Sequence, residues 1–343
     1  MKPLSRTLPS ARYLWLGILA VTVSAALLYF LYRDLDFAAF WQALSGAHLS
    51  WLVLLFVATP AEQVFRAWKW RQLLYDLKPI PTGRYFAAIM AGYAVTSIVP
   101  LGVSPLVRSW LVARLEHLRL ATILTSAVLE RFIDGVMFGL LVAGFALFGR
   151  IPEVEGQLRT GVAVAGAGSL ALFMLLVFSL LRLKRMLAHP GSLATRLLTW
   201  LTRRVPRLGD LPAALSEGLI YPRSALRKVG ILLASFAIKL VALSHFVWAG
   251  LALGVRLSLS DYLFLLIFAS FAFILSHFVR LPGGFVIASS YVLRLLGVAD
   301  ETALAMVLFV SFMSLLATLS IGLVSLYSSG LSVAELRNSR TGL

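Results

Sequence analysis

The chain contains no cysteine, so it can form neither disulfide bonds nor cysteine-ligated metal sites. Histidine is also scarce, with 5 residues in 343, and each stands alone in the sequence. The chain has no His-Glu-x-x-His motif, no aspartate-rich metal motif and no Ser-His-Asp set. An embedded enzyme needs such a constellation of nucleophile, base or metal ligands. We therefore expect neither a metal nor another cofactor, and a protein that is not an enzyme.

Charged residues make up only 13% of the chain, and acidic ones are the rarer kind, with 15 Asp and Glu against 31 Lys and Arg. Hydrophobic residues make up 60%. Several apolar runs reach the length of about eighteen residues that a membrane-spanning helix needs. The alternation of about ten residues that is typical of a membrane β-barrel strand is missing. The composition predicts an all-α polytopic membrane protein.

The apolar runs and the basic residues between them predict the topology. Residues 13–32 follow three cations and lack a cleavage site, so we interpret them as a retained first span with a cytoplasmic N-terminus. Lys69 and Arg71 are assigned to a cytoplasmic loop after the second span. A helical bundle of about seven to eight spans results. The further spans are residues 50–70, 121–148, 161–181, 229–253 and 262–277, with a last one after Asp300. The side of the C-terminus stays open.

Two hydrophobic segments are interrupted by proline and glycine. Residues 85–99 stop at a turn with basic flanks on both sides, which favours a re-entrant hairpin over two spans. Residues 285–296 are too short to span and follow a second break. Two breaks in corresponding places indicate a transporter of pseudo-symmetric halves with its site near the midplane, although broken helices merely packed in the bundle are the alternative. The turn residues are Pro100, Gly102, Pro105, Pro282, Gly283 and Gly284.

Three ionisable residues, Glu130, Arg131 and Asp134, lie within the predicted span 121–148. Each would cost about 2.5–3.5 kcal/mol at the bilayer centre, so a span keeps them where they pair, face water or meet a ligand. Arg131 lies three residues before Asp134 and can pair with it on the helix surface. The alternative to a functional site is a structural triad that neutralises itself.

Other charges near or inside spans extend the candidate site. Arg108, Lys239 and Arg280 join Arg131 as candidate contacts for a lipid headgroup. Glu62 and Arg66 are four residues apart and could form a gate, but an ion pair at the membrane interface is favoured. His245 and His277 are interpreted as hydrogen-bonded core or interface residues rather than titrating switches.

A long basic loop follows the fifth predicted span. Between positions 182 and 228 the chain has ten Lys and Arg against two acidic residues, with leucine and tryptophan between them. This pattern is typical of an amphipathic helix on the anionic inner leaflet. An ordinary positive-inside loop is the alternative. Nucleic-acid binding is not expected, because no motif or compact soluble domain accompanies the charge.

The motifs together resemble a known family. Trp68-Lys-Trp-Arg71, Pro100 to Arg108, Leu129-Glu-Arg-Phe-Ile-Asp134 and Leu281-Pro-Gly-Gly284 are similar, in this order, to the flippase-like membrane domain of the lysylphosphatidylglycerol synthase family. The family pattern has Gly-Glu where this chain has Ser104-Pro105, and Gly and a later Glu where it has Val286 and Ser289. The resemblance thus covers nearly the whole chain and retains the cations, but both hairpin carboxylates are missing.

The resemblance implies movement of lipids or lipid-linked intermediates across a bacterial cytoplasmic membrane. The soluble aminoacyl-transfer domain is not recognised, so synthesis of aminoacyl lipid is not expected. The residues and the resemblance together favour one single-domain transporter, residues 1–343, for an anionic or lipid-linked substrate. A non-catalytic membrane partner of a lipid-modifying enzyme, or a membrane-embedded transferase, is the alternative. Membrane lipids are the expected partners; the lipid and the oligomeric state stay open.

Overall fold

A computed structural model describes residues 35–98, 104–149, 155–187, 222–279 and 283–328, with scattered positions between 22 and 33, between 189 and 204 and at 217–219. Helices make up all the regular structure of this described part, which confirms the all-α prediction. Ten helices have described bounds: α1 Phe37–Ser45, α2 Leu49–Leu74, α3 Thr82–Ile98, α4 Ser104–Glu116, α5 Leu120–Phe148, α6 Glu155–Leu187, α7 Ala225–Ala252, α8 Leu259–Val279, α9 Gly284–Leu295 and α10 Asp300–Ser328.

Four helices are long and apolar enough to cross a membrane, or five if α1 and the helix after it count as one broken span. The four are α5, α7, α10 and the part of α6 from Ala163 to Met186. The predicted helical membrane bundle is confirmed, with fewer full-length spans among the described residues than the sequence predicts. Most of residues 13–32 lie outside the described residues, and the apolar part of α8, Leu259–Leu275, is shorter than a full span.

Helix α1 is absent from the sequence prediction and owes its start to a cap. The Asp36 carboxylate accepts hydrogen bonds from the backbone N–H groups of Ala38, at 2.8 Å, and Ala39, at 3.2 Å. Capping carboxylates satisfy amides that have no partner inside the helix. The apolar residues between Phe37 and Ser45 therefore form a separate short helix rather than an extension of a span.

Helices α3 and α4 form a hairpin. A Cβ atom at Gly92 would lie 3.1 Å from the Ser104 carbonyl oxygen and 3.2 Å from Arg108 Cβ, so glycine permits the close packing of the two helices. At the other end, Glu116 binds Lys78 at 2.8 Å and Arg84 at 2.5 Å. The start of α3 and the end of α4 therefore lie together.

Three of the six predicted turn residues are described, and each lies at a helix end. Pro105 is the second residue of α4. N–H groups in the first turn have no partner inside the helix, so the N–H that proline lacks costs no helical hydrogen bond. Gly283 caps α9 with a φ of 76°, a left-handed conformation that favours glycine, and Gly284 begins the helix. Pro100, Gly102, Pro282 and Arg280 lie outside the described residues.

The order of helices repeats along the chain. Helices α2 to α5 contain 26, 17, 13 and 29 residues, and α7 to α10 contain 28, 21, 12 and 29. The last helix of each set follows a left-handed residue three positions earlier, His117 with φ 55° and Gly297 with φ 81°. The repeat supports the prediction of two corresponding halves, which no sequence identity had indicated.

The chain divides into two compact units, Met1–Leu52 with Phe246–Ser311, and Val53–His245 with Phe312–Leu343. The first unit contains a stacked pair, Trp51 and Trp248, whose ring centroids are 5.5 Å apart. The second has a core of apolar side chains that includes Trp70, Tyr85 and Leu111. The charged residues of the predicted site that the structure describes fall in the second unit.

Candidate functional site

Three helices of the second unit bring charged side chains into one buried cluster. Helix α2 contributes Glu62, Arg66 and Lys69, which share one face because they are four and three residues apart. Helix α4 contributes Arg108. Helix α5 contributes Glu130 and Asp134, again four residues apart. The hairpin and the two long helices thus meet at charges rather than only at apolar side chains.

Asp134 is held by two cations of α2. Arg66 Nη1 lies 2.8 Å from Asp134 Oδ2, and Lys69 Nζ contacts Asp134 Oδ1. The Lys69 side chain is fully buried. A buried charge is tolerated only when it is paired and hydrogen-bonded, so the two cations and the carboxylate depend on each other.

Glu130 joins the hairpin to the same cluster. Arg108 Nη2 lies 2.8 Å from Glu130 Oε2, an ion pair without the alignment of a hydrogen bond. Arg66 and Lys69 each place a nitrogen 3.6 Å from Glu130 Oε1. Both partners of the Arg108–Glu130 pair have no exposed surface. Glu130 therefore balances cations from two other helices.

Arg108 also packs on an aromatic ring. Its guanidinium carbon lies 4.8 Å from the centre of the Trp70 ring, and Trp70 donates from Nε1 to Ser126 Oγ at 3.0 Å. Arginine stacks well on an aromatic face and keeps its charge when buried. Its Nε and Nη1 atoms find no hydrogen-bond acceptor among the described residues.

Glu62 and Arg66 form the ion pair that their spacing predicts, and Arg66 is buried against other protein side chains. Arg66 is only 7% exposed and donates to Glu62, at 3.2 Å, and to Gln63 Oε1, also at 3.2 Å, as well as to Asp134. Arg66 turns inward because three carboxylates lie within its reach. The pair is part of the buried cluster.

Arg131 does not form the ion pair with Asp134 that its spacing allows. Arg131 Nη2 donates to the Tyr93 hydroxyl of α3 at 3.3 Å, and no carboxylate among the described residues lies within ion-pair distance of it. The α2 cations occupy Asp134 instead. Arg131 is half-buried and has an aromatic hydroxyl as its hydrogen-bond acceptor.

Lys239 of α7 is a second half-buried cation without a carboxylate ion pair in the described part of the chain. Its Nζ atom lies 5.3 Å from the centre of the Phe138 ring, and it is within electrostatic range of Asp134 and Arg66. The structure thus brings Glu62, Arg66, Arg108, Glu130, Arg131, Asp134 and Lys239 into one region of the second unit. Arg280 is the predicted contact that lies outside the described residues.

Lys69 is the site residue that the sequence analysis misplaced. It was assigned to a cytoplasmic loop, whereas α2 continues to Leu74 and buries it. Its spacing from Arg66 and Glu62 continues one helix face, a signal that could have located it. The tryptophans on either side also indicate a helix still in an apolar setting.

With Arg131 and Lys239 included, the charge cluster has more positive than negative charge. Among the described residues it contains five buried or half-buried cations and three buried or half-buried carboxylates, which leaves two positive charges in excess. The cations are Arg66, Lys69, Arg108, Arg131 and Lys239, and the carboxylates are Glu62, Glu130 and Asp134.

Most of the predicted amphipathic segment at 182–228 lies outside the described residues. At its end, Asp76 accepts a hydrogen bond from the Arg223 backbone N–H at 3.1 Å and also pairs with Arg227. Earlier in the segment, Glu217 contacts Arg119. These contacts attach the end of the segment to the polar ends of α2 and α5.

These features define the class of the protein: a multi-pass helical membrane protein with a charge cluster buried where a broken hairpin meets long helices. Its sequence matches the family described as the lysylphosphatidylglycerol synthase TM region over residues 17–322, and the chain belongs to that family. The predicted resemblance is confirmed. No curated protein and no solved structure matches the chain.

Proposed function

We propose that the protein moves lipids with an anionic or phosphate-bearing headgroup between the two leaflets of the bacterial cytoplasmic membrane. The observation that supports this proposal is the excess of two positive charges in the charge cluster, which comes from the half-buried Arg131 and Lys239. An uncompensated cation within a spanning segment costs about 2.5–3.5 kcal/mol, and a bound anion removes that cost. Membership of the lysylphosphatidylglycerol synthase family is consistent with a lipid-related role.

The cluster divides into cations that are already neutralised and cations that are open to a ligand. Arg66 and Lys69 bind Asp134, and Arg108 binds Glu130. We assign these three to holding the carboxylates in place. This revises the role of Arg108, which was predicted to be a candidate headgroup contact.

Arg131 and Lys239 are the proposed headgroup contacts. Both are half-buried, and both have aromatic side chains beside them rather than carboxylates. A phosphate oxygen is a stronger acceptor for a guanidinium than a tyrosine hydroxyl is. An arriving phosphate can therefore replace Tyr93 as the acceptor of Arg131. Arg280 is retained as a further candidate.

The α3/α4 hairpin is proposed to enter the membrane and return to the same side. Its two ends lie together at Glu116, and neither helix is long enough to span alone. We place these ends and the N-terminus in the cytoplasm, and the basic segment 182–228 against the anionic inner leaflet. Glu62, with 19% of its side chain exposed, is the proposed gate residue.

The proposal is tested in vesicles of phosphatidylethanolamine and phosphatidylglycerol that contain the purified protein. Fluorescently labelled phosphatidylglycerol reports translocation through the fraction that a membrane-impermeant quencher reaches. Arg131→Gln and Lys239→Gln should each slow translocation about tenfold or more, because a hydrogen bond to a charged group contributes about 1.5–3 kcal/mol. Arg256→Gln, in the exposed loop after α7, is the matched control and should move lipid at the wild-type rate.

Other results would contradict the proposal. If the wild-type protein moves labelled phosphatidylcholine as fast as phosphatidylglycerol, the headgroup selectivity is wrong. Chemical turnover of the lipid would indicate an embedded transferase. If the protein neither moves the lipid nor changes it chemically, that result would favour a non-catalytic partner of a lipid-modifying enzyme.

A further inference from the structure

A second polar group lies in the same unit, beginning about one helical turn before Glu62 on α2. Thr59 of α2 and His245 of α7 are 6% and 7% exposed, and Thr59 Oγ1 lies 3.2 Å from His245 Nε2. Thr59 also lies 3.3 Å from Ser314 Oγ of α10. We call Thr59, His245 and Ser314 the hydroxyl–imidazole group.

The hydrogen bonds of this group leave one hydroxyl proton available. His245 Nδ1 lies 2.8 Å from the Val241 carbonyl oxygen, which only accepts, so in neutral imidazole Nδ1 carries the proton and Nε2 is an acceptor. The Thr59 hydroxyl donates to Ser314 Oγ. The Ser314 proton then has no acceptor within the group, so the group can offer the Ser314 hydroxyl as a donor to a ligand.

Helix α2 connects this group to the charge cluster. Thr59, Gln63, Arg66 and Lys69 follow one another at spacings of three and four residues and are all less than 9% exposed. From Thr59 to Lys69 the helix rises about 15 Å, which is half of a hydrocarbon core of about 30 Å. Pro60, beside Thr59, lacks the N–H that would bond the Phe56 carbonyl, so a further acceptor is left at this end. We call this face the polar stripe of α2.

The helical repeat gives the two ends of the stripe corresponding partners. Asp134 is the fifteenth residue of α5, and Ser314 is the fifteenth residue of α10. Asp134 binds Arg66 and Lys69 of the stripe, whereas Ser314 contacts Thr59. The end of the stripe at Arg66 and Lys69 is therefore charged, and the end at Thr59 is neutral.

We propose that the polar stripe of α2 is the path of the lipid headgroup and that the hydroxyl–imidazole group is a second, weaker binding station on it. This inference rests on the proposed transport of an anionic lipid. A translocation path needs stations that bind well enough to admit the substrate and weakly enough to release it. A binding site made only of cations would hold a phosphate too firmly, while neutral hydroxyls bind phosphate oxygens through ordinary hydrogen bonds.

Thr59→Val tests the station, because valine has nearly the shape of threonine but no hydroxyl. Translocation of labelled phosphatidylglycerol should fall about tenfold, the upper range for one hydrogen bond. Binding of phosphatidylglycerol, measured by native mass spectrometry, should stay at the wild-type level, because Arg131 and Lys239 are intact. Ser314→Ala should slow translocation in the same way, and adding it to Thr59→Val should cause little further loss. Ser320→Ala is the control: its exposed hydroxyl bonds only within α10, to the Leu316 and Ala317 carbonyls.

The results separate the proposed station from the proposed transport function. Wild-type translocation in both Thr59→Val and Ser314→Ala would overturn the station while leaving the proposed function intact. If Ser314→Ala loses lipid binding as well as translocation, the station is overturned too, since the Ser314 hydroxyl would then belong to the primary binding site of Arg131 and Lys239. If the wild-type protein neither binds nor moves phosphatidylglycerol, the proposed function fails and the station with it.

Discussion

Asp134 shows how a single side chain organises the buried cluster. Its carboxylate pairs with both Arg66 and Lys69, two buried cations of α2. The cations approach within hydrogen-bonding distance because Asp134 offers both of its oxygens. Loss of this charge would leave both without their nearest anion, and burial makes that loss costly.

Asp134→Asn should lower the free energy of unfolding by about 3–5 kcal/mol, the usual effect of removing one partner of a buried ion pair. The measurement is thermal unfolding of the purified protein in detergent. Glu217→Gln is the control, because Glu217 pairs with Arg119 where both side chains are largely exposed. An exposed pair contributes about 0–1 kcal/mol, so the control should unfold near the wild-type temperature. Equal stability of the two variants would show that the cluster does not depend on Asp134.

The α3/α4 hairpin is joined at its open end by one acid. Burial raises the pKa of Glu116, but hydrogen bonds from Lys78 and Arg84 and their positive charges lower it, and the net pKa lies below its usual value. A carboxylate with a lowered pKa in the folded state stabilises the fold above its unfolded pKa. That contribution is lost as the pH falls through the folded pKa.

The hairpin should therefore lose stability in acid through Glu116. In wild-type protein the unfolding temperature should fall as the pH is lowered from about 6 to about 3, the range in which carboxylates titrate. Glu116→Gln should start from a lower unfolding temperature at neutral pH and decline less over the same range. A decline as steep as that of the wild type would assign the acid sensitivity to other carboxylates.

The repeated order of four helices governs the architecture of the whole chain. Among the described residues, a pair of helices stands between two longer helices in each set. Arg108 of the first pair joins the charge cluster, and Gly283 caps the second helix of the other pair. Broken helices are tolerated at membrane depth only inside protein or beside water. The topology of the first pair therefore decides which side of the membrane its ends occupy.

The absence of cysteine makes this topology directly measurable. Single cysteines at Thr82 and Leu118 should react with an impermeant thiol reagent from the same side of sealed vesicles, because both ends of the hairpin lie together. A cysteine at the exposed Phe148 should react from the opposite side, since α5 rises about 42 Å from Leu120 and crosses the membrane. Labelling of Thr82 and Leu118 from opposite sides would contradict a re-entrant hairpin.

Local properties of the chain were enough to predict its class, most helix positions and the two breaks. Hydropathy depends on consecutive residues, and a bilayer demands that each span satisfy its own backbone, so α5 and α7 were predicted to within a few residues of their observed limits. Glu130, Arg131 and Asp134 stood out for the same reason, because charges are rare in such segments.

The pairing of those charges depended on packing between distant parts of the chain. Asp134 meets Lys69 and Arg66 across 65 and 68 residues, and no local pattern specifies which helix faces which. Local sequence therefore placed Lys69 in a loop and allowed Arg131 to pair with Asp134. In the folded protein Lys69 is buried, and Arg131 donates to Tyr93. Ion pairing acts over a few ångströms, so its partners are chosen only when the helices have come together.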